Sequence, residues 1–340
     1  MNGAGSIHTI TVMGTFATIQ VVGDDEDARR ADREAAISRA FGWFHRVEEC
    51  CSRFDPASEL SRLAAHVGVP VPVSDMLFEV AQFAIAVAED TDGAFDPTVG
   101  VEMETRGFNR NHRTRRVVHS GMAALEPVSY RDVHVDPSSR TITLLRPLML
   151  DFGAVAKGLA IDMAARELAP LTNFAIDAGG DLFLAGRRAD GAPWTAGVRH
   201  PRRDRALIDV VRLSNRAVCT SGDYERRGTG GEPHILDGRT RADAVAVASV
   251  TVVAPTAMAA DALATAAFAL GPDEGIRLLE RHGVEGLLLT PALERHATRD
   301  FPSDYSILQD AEGPADDCPA DPARDRDAGR GHPSDGRRPH

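Results

Sequence analysis

Leu148–Gly186, LMLDFGAVAKGLAIDMAARELAPLTNFAIDAGGDLFLAG, is the stretch from which the fold is read. The apolar run Leu148–Leu150 predicts a buried strand that ends at Asp151. After Gly153, apolar residues return at Val155, Leu159, Met163 and Leu168, close to helical spacing. Phe174–Ile176 predicts a second strand, which Asp177 and the pair Gly179-Gly180 turn into a third at Leu182–Leu184. Strand ends that pass directly into helix starts leave backbone N–H and C=O groups free for phosphate or a metal.

This stretch also holds the one lysine of the chain, Lys157, among 37 arginines. An ordinary surface cation in such a composition would be arginine. Lysine is a compact ammonium with three donors, whereas arginine is a planar fork. A site that needs a point charge would keep Lys157 against the bias; a solvated helix lysine kept by chance is the alternative.

Outward from this unit, 340 residues with 43% hydrophobic content suit one large domain or two. The net charge of −12 argues against nucleic acid or an anionic membrane as the main partner. Cys50, Cys51, Cys219 and Cys318 have no CxxC spacing, so reduced structural thiols are expected rather than a disulfide framework or zinc site. MNGAGSIHTITVMGTF has neither the cationic start nor the apolar core of a signal peptide, and no apolar run reaches the length of a membrane span. The expectation is a cytoplasmic protein. Residues 310–340, rich in Asp, Pro, Gly and Arg, are expected to be a disordered tail behind a folded domain at 7–309.

Elsewhere strands and helices mix without a repeat. Strands are expected at His8–Val12 and Ala17–Val22, around Met13-Gly14-Thr15. A helix over 27–50 would bury Ile37, Phe41, Phe44 and Val47. Ser74 reads as the N-cap of the next helix, which stops at Gly93. Val133–Val135 and Thr141–Leu145 flank an Asp-Pro-Ser-Ser turn. Further strands are expected at Ala206–Leu213, Ala217–Cys219, Ser249–Ala254 and Gly286–Leu289, with helices at Thr256–Leu270 and Asp273–Arg281. The pattern is α+β, and the absence of GxGxxG argues against a dinucleotide-binding Rossmann sheet.

In the helix at 256–270, Asp261 and Thr265 are four residues apart and share a face. A carboxylate and a hydroxyl so placed are hard oxygen ligands suited to Mg²⁺, which completes its shell with water and substrate phosphate. A plain solvent face on an Ala-rich helix is the other reading.

Collinear segments now point to a family. VMGT (12–15), RFDPASELSRL (53–63), GAFDPTVG (93–100), LDFGAVAKGLAID (150–162), DAGGD (177–181), TSGDYERR (220–227), HILD (234–237) and the block at 249–271 occur in the order found in ApbE-like FAD:protein FMN transferases. The sequence resembles that family over roughly residues 8–290. The resemblance implies a mixed α+β, two-lobed fold with the nucleotide in the cleft. It implies an enzyme that splits the FAD pyrophosphate, moves the FMN phosphoryl group to a Thr or Ser hydroxyl of an acceptor flavoprotein and releases AMP. The target would be an Asp followed by a Ser/Thr-Gly-Ala-Thr segment.

Carried over by position, the resemblance implies Mg²⁺ ligands at Asp261, Thr265 and the backbone carbonyls of Ala154 and Ala264. Met13, Phe54, Ala94, Phe95, Asp96, Asp151, Lys157 and Ile235 would contact the flavin nucleotide, Phe54 by stacking on adenine. His234 would be the general base, with Lys157 and Asp261 completing the catalytic set. Without the resemblance, Asp96 and Asp177 read as turn formers, Phe54 and Phe95 as core, and His234 as a loop residue. The chain departs from the family pattern at Gly238 and Arg241 after HILD and at Arg106 before Gly-Phe, on segments expected at the rim of the flavin pocket and the acceptor. A Mg²⁺-dependent FAD pyrophosphatase that gives FMN and AMP, or a flavin-binding protein without turnover, are the alternative functions.

Overall fold

In the computed structural model, which describes residues 5–23, 27–111, 114, 116–122, 127–225 and 233–304, strands and helices interleave along the chain. A hairpin of β1 (Ser6–Val12) and β2 (Thr15–Val21) precedes α1 (Asp27–Cys51), α2 (Glu59–Leu63), β3 (Val71–Pro72), α3 (Asp75–Asp90) and α4 (Gly100–Thr105). β4 (Val133–Asp136) and β5 (Thr141–Leu144) lead to α5 (Ala156–Leu168), β6 (Phe174–Ala178) and β7 (Asp181–Ala185). Then come β8 (Trp194–Arg199), β9 (Leu207–Leu213), β10 (Arg216–Gly222), the short β11 (Leu236–Asp237) and β12 (Ala242–Asp243), and β13 (Ser249–Ala254). α6 (Ala257–Leu270), α7 (Pro272–Arg281), β14 (Glu285–Leu289) and β15 (Arg295–Ala297) close the described chain. The expected tail at 310–340 lies outside the described residues.

The main sheet has eight strands in the order β1-β2-β6-β7-β10-β13-β14-β15, with every neighbouring pair antiparallel. The fold is therefore α+β, as expected, and unlike a parallel dinucleotide-binding sheet. One face is covered by α6, which lies on β10 and β13 and packs against α5; α5 in turn packs on α1. The β8–β9 hairpin covers the other face, where Trp194, Ala196, Val198, Val211 and Leu213 meet Leu184, Val218, Val253, Leu287 and Leu289 in a second core. Strand β13 is thus buried on both sides: all six residues of Ser249–Ala254 are buried, the polar Ser249 and Thr251 included. Among the described residues no helix is long and apolar enough to cross a membrane.

The expected helices form, with Ile37, Phe41, Phe44 and Val47 buried in α1 and Ser74 accepting from the Leu77 N–H at 3.3 Å as an N-cap. Cys50, Cys51 and Cys219 are free and buried, and Cys318 lies outside the described residues. One expectation fails. Leu148–Leu150 is buried but forms no strand. Its backbone bonds to a loop instead: the Gly100 N–H donates to the Met149 carbonyl at 3.2 Å, and the Asp151 N–H to the Pro97 carbonyl at 2.7 Å. An apolar run reports burial, not the partner of the backbone. Strand β8 was missed although its burial alternates strictly, with Trp194, Ala196 and Val198 inward.

At the junction of α5 with the start of α6 two backbones come into close contact. A Cβ added at Gly158 would lie 2.5 Å from both the Ala257 carbonyl oxygen and the Met258 Cα, so only glycine lets these backbones meet. Beside it, the buried Asp162 carboxylate accepts from the Ala257 and Met258 N–H groups at 2.7 and 2.9 Å and caps α6. Gly158→Ala is expected to destabilise the fold by about 1–3 kcal/mol, seen as a lower urea midpoint, through this wedge.

Burial pushes the Asp162 carboxyl from its ordinary 3.8 up to about 6, against the opposing pull of the two backbone donors. Between those values the folded chain holds a proton that the unfolded chain has released. Stability therefore falls as pH rises through this window, by up to about 3 kcal/mol from this group. Asp162→Asn should flatten that slope in chemical denaturation between pH 4 and 6; an unchanged slope would assign it to other groups.

Candidate active site

A cavity of about 360 Å³ opens where the β1–β2 turn, the end of α1, the loop before α4, the start of α5, the Asp261–Thr265–Ala269 face of α6 and the segment before β11 converge. Each wall is placed by a local device. Met13 (φ 51°) and Gly14 (φ 76°) both take the left-handed backbone that a two-residue hairpin demands. The Met13 N–H donates to Glu48 Oε1 of α1 at 3.2 Å, which presents Met13 to the cavity. Past the end of α1, Arg53 lies over the Phe54 ring with its guanidinium carbon 4.2 Å from the centroid. The same guanidinium donates to Asp151 Oδ2 at 2.7 Å and to the Phe108 carbonyl. Asp151 also accepts from the Gly153 N–H at 2.8 Å through its other oxygen, fixing the turn into α5.

In the loop GAFDPTVG, Ala94 and Phe95 are buried in the wall, and Asp96 beside them is nearly inaccessible. Asp96 accepts from the Thr98 N–H and hydroxyl, both at 2.8 Å, and from the Tyr130 N–H at 3.2 Å. Burial pushes its carboxyl above the usual carboxylate range, while these donors and the Arg241 charge pull the other way.

The floor is the polar cluster. Lys157, in the first turn of α5, is ion-paired with Asp181 at the start of β7 and with Asp261 of α6, the latter at 3.1 Å. Asp181 also accepts from the Thr220 N–H at 3.2 Å. One turn along α6, the Thr265 hydroxyl lies 3.0 Å from that of Ser221. His234 and Ile235 line the opposite side, with the His234 ring edge-on to Phe108 at a centroid distance of 6.4 Å.

The structure thus brings Met13, Phe54, Ala94, Phe95, Asp96, Asp151, Ala154, Lys157, His234, Ile235, Asp261 and Thr265 to one cavity. Ala264 is fully buried in α6 and is not part of the lining. Asp177 sits apart, exposed, and accepts from the Gly180 N–H at 2.8 Å in the turn that its neighbours predict. Sequence reasoning missed Asp181, Arg53 and Ser221. The second carboxylate of DAGGD and the arginine of RFDP were both visible, but nothing local to them marked their partners, Lys157 for Asp181 and, 98 residues on, Asp151 for Arg53.

Among the described residues no three His, Cys, Asp or Glu side chains gather as a metal cluster. The donors at the floor are instead hard oxygens: one carboxylate and one hydroxyl on successive turns of α6. Two buried carboxylates here face a single ammonium, so the floor is acidic toward the cavity. That donor set and charge fit a Mg²⁺ that keeps several water or phosphate oxygens in its shell.

Residues 13–288 match the model of the ApbE family. The chain is 30% identical over 254 residues to the FAD:protein FMN transferase of Haemophilus influenzae, covering 70% of this chain and 73% of that one. With the Treponema pallidum FAD:protein FMN transferase the identity is also 30%, over 82% and 83% of the two chains. Among solved structures, the ApbE protein of Thermotoga maritima superposes with a TM-score of 0.76 at 31% identity, covering 87% of this chain and 97% of the other. The flavin transferase ApbE of Vibrio cholerae gives 0.75 at 25%, covering 88% and 98%. Fold and site define a member of a flavin-transferase class. The chain belongs to the ApbE family.

Proposed function

We propose that this chain is a Mg²⁺-dependent FAD:protein FMN transferase. The observation that carries the reading is the Lys157–Asp181–Asp261 cluster, with Thr265 beside it, at the floor of a cavity whose other walls carry the aromatic and carboxylate groups expected around a flavin nucleotide. The family membership supports it.

In this reading FAD lies in the cavity with its pyrophosphate over the floor. Phe54, pinned by Arg53, offers a ring to adenine, and Asp96 and Ile235 bound the flavin end. Asp261, Thr265 and the carbonyl of Ala154 would hold Mg²⁺, which when bound supplies positive charge to the phosphate oxygens. Lys157 keeps the Asp261 carboxylate oriented and adds an ammonium near the same oxygens. The hydroxyl of the acceptor Thr or Ser attacks the FMN phosphorus: a new O–P bond forms, the pyrophosphate P–O bond breaks, and AMP leaves with that oxygen. An imidazole nitrogen of His234 takes the hydroxyl proton. The acceptor is a flavoprotein segment with an Asp followed by Ser/Thr-Gly-Ala-Thr, expected in the cytoplasm.

The test is AMP release from FAD with Mg²⁺, with and without such an acceptor. Flavin fluorescence that stays on the denatured acceptor, together with AMP, is the expected result. AMP release that ignores the acceptor would make the protein a pyrophosphatase, and bound FAD without AMP a flavin-binding protein.

Asp261→Ala is expected to lower Mg²⁺-dependent turnover by at least about 100-fold, in line with loss of a charged group at a phosphoryl-transfer site. Full activity would remove Asp261 from the metal site. Lys157→Arg should also impair turnover, because a planar fork does not fit between the two carboxylates that enclose the ammonium. Retained activity in that variant would return the lone lysine to composition alone.

A further inference from the structure

The three positions at which the chain departs from its family pattern, Arg106, Gly238 and Arg241, meet at one place in the fold. The turn between β11 and β12 folds back onto the loop that carries Ala94 and Asp96. Gly238 makes the approach: its N–H donates to the Ala94 carbonyl at 2.9 Å. A Cβ there would lie 2.3 Å from the Gly93 carbonyl oxygen and 2.6 Å from the Asp96 Cβ. Arg241 then closes it. The residue adopts φ 59°, a left-handed backbone that an arginine rarely takes without compensation.

The compensation lies in the side chain. Arg241 Nη2 donates to the Thr98 hydroxyl at 3.1 Å and to the Val128 carbonyl, and stands 3.6 Å from Asp96 Oδ2. Its Nε is 3.5 Å from Glu102 of α4. The Thr98 hydroxyl that accepts from Arg241 donates in turn to Asp96. Arg106, at the end of α4, braces the far side by donating to the Arg241 carbonyl at 3.1 Å and pairing with Asp243 of β12. Charges from three segments thus bolt the Ile235–Asp243 hairpin to the Asp96 wall.

We propose that Arg241 is a positioning residue that fixes the flavin-facing rim of the cavity, acting through Thr98 and Asp96, with Arg106 and Gly238 as the other parts of the same clamp. This rests on the functional reading above. Arg241 touches no reacting atom. It sets the gap between the Asp96 wall and the Ile235 segment, so it governs how well the nucleotide is held rather than the transfer step. Arginine suits the role because one planar fork serves several acceptors at once, which a lysine ammonium at the same place would not span.

The experiment measures FAD affinity by quenching of flavin fluorescence, KM for FAD and kcat for AMP release, and Tm, in the full chain. Arg241→Gly removes the clamp while relieving the left-handed backbone, so Tm should hold. The expected result is an affinity and KM weakened by about tenfold or more with kcat within about threefold. Arg241→Lys should fall between the variant and the wild type, and Arg106→Ala should weaken affinity in the same direction. If Arg241→Gly does not fold, the last two carry the test. Unchanged FAD affinity in these folded variants overturns the clamp while leaving the transferase reading intact. So does a loss of Tm, affinity and kcat together, which marks a merely structural role. A wild-type protein that binds no FAD overturns the functional reading and the clamp with it.

Discussion

The close approach of α5 to the first turn of α6 is the constraint on which the site depends. The exposed N–H groups that open α6 need an acceptor where the helix meets its neighbour. Asp162, in the second turn of α5, accepts from the first two of them, and Gly158 removes the atom that would hold the backbones apart. The result sets Lys157, in the first turn of α5, against Asp261, in the second turn of α6. The sheet beneath adds the rest: β7 delivers Asp181 to the same ammonium, and β10 delivers Ser221 to Thr265. A polar floor therefore arises at a place dictated by apolar packing. Its cost appears in Asp162, which stays buried and reluctant to ionise so that α6 can begin where it does.

Two kinds of cation do two kinds of work around this cavity. Around the cavity walls, Arg53 joins the Phe54 ring, Asp151 and a backbone carbonyl, and Arg241 joins a hydroxyl, a carbonyl and two acids; both are bridging tasks for a planar fork. At the floor, a single ammonium sits between two buried carboxylates without filling the space around them. A guanidinium there would occupy the oxygens that a metal or phosphate needs. On the proposed reading, shape rather than charge accounts for the one lysine among 37 arginines.

How far this was legible in the sequence depends on whether a signal was local. Asp261 and Thr265 could be paired because helical spacing puts positions four apart on one face, and Lys157 stood out against its own composition. The strands and helices around the central unit followed from periodicity, except where burial and hydrogen bonding part company. Leu148–Leu150 is as apolar as a core strand, yet its backbone serves the loop at 97–100, and periodicity carries no information about that partner. Asp181 was hidden for a related reason. It closes the DAGGD segment with no local signal of its own, and only the register that places β7 beside β10, under α6, turns it toward the lysine.

Floor and rim are held by forces of different reach, and this bears on how such a site can vary. The floor is fixed by backbone contacts: an added Cβ at Gly158 would be 2.5 Å from main-chain atoms, and β13 is buried on both faces, so a change there moves the whole core. The rim combines one close backbone approach, at Gly238, with the side chains of Arg106 and Arg241, which reach across loops from partly exposed positions. Charge pairs at a partly wet rim tolerate substitution because a new pair can form wherever donor and acceptor come within reach, whereas packed backbones admit one arrangement. On the proposed reading, the chemistry is anchored at the packed floor, and recognition rests on a rim held largely by charge pairs.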